Sequence, residues 1–326
     1  MEQRAIGSLS VSVIGLGTNQ LGTQACDEAT SRRVVHEALD AGVTYFDTAD
    51  EYGRNYSDPN DPSGWGRCEE YLGRALGTRR DDVVVATKFG VQPYGDPARG
   101  GASARWARQS LEESLQRLGT DHVDLYQLHI PDPTVPIAET LAALDALVRD
   151  GKVLEVGCSN LSGAELDAAN TIAIDAGLRP FASIQSPLNV IQRAMLDDVM
   201  PVCERIGVTF IPYYPLASGI LTGKYVRNQP PPSGSRMREQ LTDDVRSRIL
   251  SDRTFDRVEA LDQFARERGH TMLELAFGWL LGHAAVATVI AGAAKPGQVA
   301  ANAAATGWSM TPDEVDRVTQ VVRDAN

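Results

Sequence analysis

Four side chains of different chemistry stand at or just past the ends of short apolar runs: Asp47, Lys88, His129, and Tyr52 five residues beyond Asp47. Carboxylate, ammonium, imidazole and phenol are groups that move protons in catalysis. A lysine in such a place is also the nucleophile of Schiff-base chemistry. Taken singly, each has a plain alternative. A lysine after a strand is commonly a solvated end, a histidine there a satisfied core residue, and Tyr52 beside Gly53 a cover for a rim. Their shared position at the ends of the runs is what joins them. Ser159-Asn160, Gln185 and Tyr213 sit the same way on later runs.

The runs that must position these groups are Val11–Gly17, Thr44–Thr48, Val83–Phe89, Val123–His129, Val153–Cys158, Ser183–Gln185, Val208–Tyr213 and Val286–Ala291. Short, β-branched and apolar throughout, they read as strands buried on both faces, as in a parallel sheet. Helix-patterned segments separate them. Ser162-Gly163-Ala164-Glu165 and Thr271-Met272-Leu273-Glu274 fit capping boxes, and Thr311-Pro312-Asp313-Glu314 places proline at a first helical position. Leu111, Leu115 and Leu118, closed by Gly119, form an apolar stripe. Eight such βα units either close into a (β/α)8 TIM barrel or lie open as a doubly wound sheet. A barrel brings every carboxyl-terminal strand end to one mouth, whereas an open sheet gathers only those near its switch point. The barrel therefore accounts for all the polar strand ends together. The expectation is an α/β fold with one barrel domain over residues 1–326 and a small hairpin, Arg4–Ile6 with Leu9–Val13, plugging the opposite end. Two segments, 54–66 and 218–241, exceed ordinary loop lengths and are expected to serve the site.

Composition narrows the function classes. The 326-residue chain is 43% hydrophobic and 23% charged, ordinary globular material rather than a disordered or fibrous chain. Its formal net charge is −12, which repels a phosphate backbone, and no basic stripe offsets it, so no nucleic-acid partner is expected. Cys26, Cys68, Cys158 and Cys203 are scattered, which argues against a disulfide framework or a structural metal and fits a reducing cytoplasm. The longest apolar stretch, 284–294, is too short to span a bilayer, so no membrane association is expected. Gly15-Leu16-Gly17 invites a dinucleotide fingerprint, but Gln20 holds its third position; Gly219 through Tyr225 fails as a phosphate loop.

Several segments together resemble the aldo-keto reductases. They are Gly15-Leu16-Gly17-Thr18, Phe46 through Gly53, Ala86-Thr87-Lys88-Phe89 and Asp124 through His129. Gly157-Cys158-Ser159-Asn160, Tyr213 through Gly219, Leu221 through Tyr225 and Gly292 through Asn302 follow in family order. The resemblance covers essentially the whole chain. It implies a (β/α)8 barrel that interconverts small carbonyl compounds and alcohols with NADP(H) or NAD(H) and no metal; a homo-oligomer is compatible with it.

On that resemblance Asp47, Tyr52, Lys88 and His129 are the catalytic residues. Hydride delivery to a carbonyl carbon leaves negative charge on oxygen, which needs a proton donor. A phenol is a weak acid at neutral pH, with an ordinary pKa of about 10. A lysine cation ~4 Å away, at an effective dielectric of ~20, offers about 4 kcal/mol toward the phenolate. Tyr52 is thus expected to be the acid in reduction and the base in oxidation. Asp47 would keep Lys88 aimed and His129 would orient the carbonyl. Ser159, Asn160 and Gln185 are expected on the cofactor's carboxamide, with Tyr213 stacked on its ring. Gly17, Thr18, Asn19 and Asp47 would border the cofactor. Pro215, Leu216, Ser218, Gly219 and Lys224 would wrap the pyrophosphate. Gly292, Ala294, Gln298 and Asn302 fall at the adenosine end. Alanine stands at 294, where the family often has a polar or basic residue, and at 301, where an acid is common. Lys295 or Arg236 is the candidate to take over the grip on a 2′-phosphate, and NADP(H) is favoured. Tyr214 and Cys68 replace usual serines, and Tyr56 and Trp65, in the insertion after Tyr52, are expected to line the substrate pocket. Two other functions compete: a Lys88 Schiff-base aldolase, and a nicotinamide-holding regulatory subunit with slow turnover.

Overall fold

The chain crosses itself first as an antiparallel hairpin, β1 (Gln3–Ile6) and β2 (Leu9–Ser12), and then enters a parallel sheet. A computed structural model describes residues 1–23, 26–54, 63–92 and 99–325. Among them, eight strands form the sheet: β3 (Ile14–Gly17), β4 (Tyr45–Asp47), β5 (Val84–Phe89), β6 (Val123–Leu128), β7 (Val153–Ser159), β8 (Ser183–Pro187), β9 (Thr209–Tyr213) and β10 (Val289–Gly292). Neighbours in the sheet are neighbours in sequence, and β10 pairs with β3 in parallel. The seam between β9 and β10 is drawn together by a parallel bridge between Phe210 and Val286 and by the Phe210 N–H, which donates to Ala285 O at 2.8 Å. The sheet is thus a nearly closed (β/α)8 barrel.

Helices return the chain between strands. They are α1 (Glu28–Asp40), α2 (Arg67–Leu76), α3 (Ala104–Leu118), α4 (Ile137–Arg149), α5 (Gly163–Asp175) and α6 (Met200–Ile206). After β9 come α7 (Arg236–Glu239), α8 (Asp243–Ile249), α9 (Asp252–Arg266) and α10 (Met272–Leu281); α11 (Gln298–Ala304) and α12 (Pro312–Asp324) follow β10. Their punctuation follows the local rules. Capping boxes close at Ser162–Glu165, Thr271–Glu274 and Thr311–Glu314, and Gly119 ends α3 in the left-handed conformation. The outward faces of the strands and the inward faces of the helices share one apolar core. Among the described residues no helix is long and apolar enough to cross a membrane.

Three local expectations change. The run Val11–Gly17 is not one strand, because Val13 is the corner between hairpin and barrel. There the Ser12 N–H donates to Thr44 Oγ1, and Ser12 Oγ donates to Ile14 O while accepting from the Thr44 N–H. The last strand begins at Val289, later than its apolar run, which starts at Val286. Nor is segment 218–241 a bare loop. It begins within a 3₁₀ helix, Ala217–Thr222, and carries α7, whose Met237 is fully buried. That buried anchor supplies packing that a purely polar loop lacks.

Candidate active site

Side chains on a strand alternate between faces, so residues two apart point the same way. On β4, β5 and β6 the inward series reads Tyr45 then Asp47, Ala86 then Lys88, and Leu125 then Gln127. One layer is apolar, and the next, at the carboxyl ends, is ionic. Asp47 and Lys88 are both buried, and Lys88 Nζ donates to Asp47 Oδ1 at 2.5 Å. The ammonium also donates to Thr48 O at 2.8 Å and to the Tyr52 hydroxyl at 3.5 Å. Asp47 Oδ2 accepts from Gln185 Nε2 at 2.8 Å and from Gln127 Nε2 at 3.4 Å. A buried ion pair persists only when its remaining hydrogen-bonding capacity is met, and here both partners are braced.

Tyr52 reaches this pair from a turn after β4. Its N–H donates to Ala49 O at 3.2 Å, and its carbonyl accepts from the Cys68 N–H at 3.2 Å. The Asp50 N–H donates to Lys88 O at 3.1 Å, so the turn carrying the phenol is bonded to the strand carrying the ammonium. His129 follows β6, and its ring meets that of Tyr52 edge-on, with centroids 5.8 Å apart. Burial, then the charges of Lys88 and Arg54, push the imidazole well below its usual range, so it is neutral near pH 7. Its Nδ1 is buried without a hydrogen-bond partner among the described residues. The structure therefore gathers Asp47, Tyr52, Lys88 and His129 at one rim.

The neighbouring strand ends form a second group. Asn160 has a left-handed backbone (φ 62°), and its Nδ2 donates to His129 O and to Ser159 Oγ, each at 3.0 Å. Ser159 Oγ donates to Gln185 O at 2.8 Å, and the half-buried Tyr213 donates its hydroxyl to Asn160 Oδ1 at 2.9 Å. Thr18 ties β3 to β4, giving both its N–H and its hydroxyl to Asp47 O at 2.9 and 3.0 Å. Gly17 has no room for a side chain, since a Cβ there would lie 2.7 Å from Ile290 Cγ2. Asn19 lies beside Gly292 across the β10–β3 seam.

Past β9 the backbone is strained. Tyr214, Ala217 and Ser218 all have positive φ, of 63°, 46° and 58°, and Gly219 follows at 87°. Non-glycine residues held this way cost free energy and cluster where a ligand is gripped. The Tyr214 hydroxyl and Ser218 Oγ are 2.5 Å apart, and Pro215 and Leu216 lie between them in the turn. Lys224 Nζ approaches Gly219, and burial, then the Lys295 cation, pull this lysine below its usual range. Lys295 itself donates to Gly234 O at 3.2 Å, close to the exposed Arg236. Gln298 braces the turn after β10, with its Oε1 accepting from the N–H groups of Ala294 and Lys295. Asn302 is buried on α11, while Glu37 of α1 accepts from the N–H groups of Gly297 and Ala300 at its start. The Lys224 ammonium beside this strained turn fits a phosphate-bearing cofactor.

Not every expected group is free for a ligand. The Gln185 amide nitrogen is committed to Asp47, leaving its carbonyl oxygen for a carboxamide. Trp65 is half-buried and lies beneath the Arg54 guanidinium, 5.4 Å from the ring centroid; Tyr56 lies outside the described residues. Gln127, Glu51 and Arg54 were not among the expected site residues. Gln127 stands on β6 two positions before His129, which follows that strand, and that period was the available signal.

Comparison with known proteins agrees with this geometry. The model of the "Aldo/keto reductase family" matches residues 13–323. "Aldo-keto reductase YhdN" of Bacillus subtilis is 32% identical over 99% of this chain and 94% of its own length. A "Probable voltage-gated potassium channel subunit beta" of Oryza sativa is 31% identical over 99% of this chain and 97% of its own. The solved glycerol dehydrogenase AKR11B4 from Gluconobacter oxydans superposes with a TM-score of 0.80 at 29% identity, covering 98% of this chain and 93% of that one. With the fold, the strand-end residues and a whole-chain family match in agreement, this protein belongs to the aldo/keto reductase family.

Proposed function

We propose that the protein is an NAD(P)H-dependent oxidoreductase that interconverts aldehydes or ketones and their alcohols, with Tyr52 moving the proton at the carbonyl oxygen. The observation that carries this reading is the buried Lys88 ammonium, 2.5 Å from Asp47 and 3.5 Å from the Tyr52 hydroxyl. At that distance and an effective dielectric of ~20, the cation stabilises charge on the phenol oxygen by about 5 kcal/mol. Asp47 takes back part of this, but it holds the ammonium in place. Tyr52 thus gives its proton to a forming alkoxide, and its own charge is then borne by Lys88. The neutral His129 ring orients the carbonyl oxygen toward the phenol.

A bound nicotinamide supplies or takes up the hydride. Asn160 Oδ1, Ser159 and the Gln185 carbonyl would hold its carboxamide, and the Tyr213 ring its exposed face. Gly17, Thr18 and Asn19 would border it. The strained turn at Pro215, Leu216, Ser218 and Gly219 would take the pyrophosphate, with Gly292, Ala294, Gln298 and Asn302 around the adenosine. Lys224, beside Gly219, would join the pyrophosphate turn, and Lys295 or Arg236 would hold a 2′-phosphate, which favours NADP(H) over NAD(H).

An aldolase needs Lys88 as a free amine, whereas all its protons have acceptors here. The channel-subunit relative supports a second reading, in which cofactor is held and turned over slowly. A panel of aldehydes, ketones and sugars with NADPH and NADH, followed at the nicotinamide absorbance, decides between the two. Multiple turnovers with at least one carbonyl support the enzyme. A single stoichiometric oxidation of bound NADPH supports the regulatory subunit, and no oxidation with any carbonyl overturns the enzyme reading.

A further inference from the structure

We infer that Glu69 is a positioning residue for the proposed acid, holding the Tyr52 turn to the strand of Lys88 and so setting the distance from phenol to ammonium; this rests on the reductase reading above. Tyr52 lies on a turn and Lys88 on β5, so the 3.5 Å between their polar atoms depends on what ties turn to strand. One tie is backbone, from the Asp50 N–H to Lys88 O at 3.1 Å. The other runs behind the barrel wall. Thr87, next to Lys88, points outward and is fully buried, and its hydroxyl donates to Glu69 Oε1 at 2.5 Å. Glu69 stands in the first turn of α2, one residue after Cys68, whose N–H donates to Tyr52 O at 3.2 Å. A continuous path of covalent and hydrogen bonds thus leads from Lys88 through Thr87, Glu69 and Cys68 to Tyr52.

The path is braced from outside. Glu69 is fully buried, and its Oε2 accepts from Arg117 Nε of α3 at 2.7 Å. Arg117 reaches it across Gly66, where a Cβ would overlap that Nε, and its Nη2 donates to Ser114 Oγ at 3.1 Å. The Tyr52 turn is pressed on α2, since a Cβ on Gly53 would lie 3.2 Å from the Cys68 nitrogen. A buried ion pair adds little stability over apolar packing. A carboxylate with one oxygen on the strand and the other on α3 adds fixed geometry instead. Geometry matters because the Coulomb gain falls with distance. A retreat of ~1 Å from 3.5 Å removes about a fifth of the ammonium's hold on phenolate charge.

The test follows the Tyr52 phenol by the NMR signal of its labelled Cζ, assigned by its loss in Tyr52→Phe. In the wild-type protein it should titrate below the ordinary ~10. Thr87→Val cuts the path without changing any charge. The phenol's pKa should then rise by about 0.5 or more and kcat fall about tenfold or more, with NADPH Kd and carbonyl KM within about twofold. Thr87→Ser keeps the hydroxyl and should restore both. Glu69→Met/Arg117→Met removes the same tie, leaves neither partner's charge buried alone, and should move the phenol as Thr87→Val does. A role confined to holding α2 on the barrel lowers the melting temperature and leaves the phenol in place. A phenol unmoved in the folded variants therefore overturns the inference while the mechanism stands, and a wild-type phenol at or above about 10 overturns both. If no carbonyl reacts, the reductase reading has failed and the titration alone decides the positioning claim: a rise supports it, an unmoved phenol refutes it.

Discussion

The two ends of this barrel are built from the same strands and do opposite things. At the amino-terminal end, Ile6, Leu9 and Val11 of the hairpin pack on Tyr45, Val84, Ala86, Leu125, Ile211, Ala287 and Ile290. Two residues further along, β4, β5 and β6 present Asp47, Lys88 and Gln127 instead. Two residues of strand rise only about 7 Å, so an oily plug gives way to a buried ion pair within one layer. The plug removes water and contributes stability through burial. The mouth bears the cost of dehydrating charge, and the firm layer beneath it limits that cost by holding the partners in place. Activity and stability should therefore respond separately to changes at the two ends.

The largest separation is expected from Tyr52→Phe, which removes only the hydroxyl. Turnover should fall about 10²- to 10⁴-fold, the usual worth of a general acid, with NADPH binding and melting temperature retained. Near wild-type kcat in this variant would remove the phenol from its proposed role. Lys88→Met should strike both properties, because Asp47 is left buried without its cation. Breaking such a pair costs about 3–5 kcal/mol, measurable by urea denaturation alongside the loss of turnover. At the other end Ile6→Ala, a fully buried side chain, should cost about 2–5 kcal/mol while kcat per folded molecule stays unchanged. A proportionate loss of kcat there would show that the two ends are not independent.

The smallest effect concerns Asp50, a buried carboxyl on the turn after β4 that packs against α3. Its Oδ2 accepts from Ser110 Oγ at 3.0 Å and its Oδ1 lacks a partner among the described residues, while burial and then the Glu69 charge push it well above the carboxylate range. The folded form thus keeps a proton that the unfolded chain releases above about pH 4. Stability from this group is present at low pH and is lost as pH rises through the unfolded value. Asp50→Asn mimics the protonated form, so it should raise the melting temperature at pH 8 more than at pH 4. The opposite pH trend would mean that the carboxyl is ionised in the fold. His129 contributes in the other sense. Held neutral, it loses stability as pH falls below about 6.5, and His129→Gln should flatten that acid limb.

Much of this molecule was legible before any coordinates. The alternation of β-branched runs with capped helices specified the barrel, since both signals are local: side-chain period, capping hydroxyls and proline or glycine at helix ends. The polar strand ends were legible too, because a barrel sends every carboxyl end to one mouth, and a single topological fact then gathers residues as far apart as Asp47 and Tyr213. Gln127 was within reach of the same period-two rule.

Other features depend on contacts between distant segments. The corner at Val13 arises because Ser12 finds Thr44 across the barrel bottom, and a chain read in one dimension continues the strand through it. The commitment of the Gln185 amide to Asp47 and the approach of Lys224 to Gly219 are of the same kind. Residue types and periods determine which side chains face inward and at which end. Strand tilt, loop path and competition among neighbours for each hydrogen bond decide which of those side chains meet, because hydrogen bonds and Coulomb attraction act across space and are indifferent to separation along the chain.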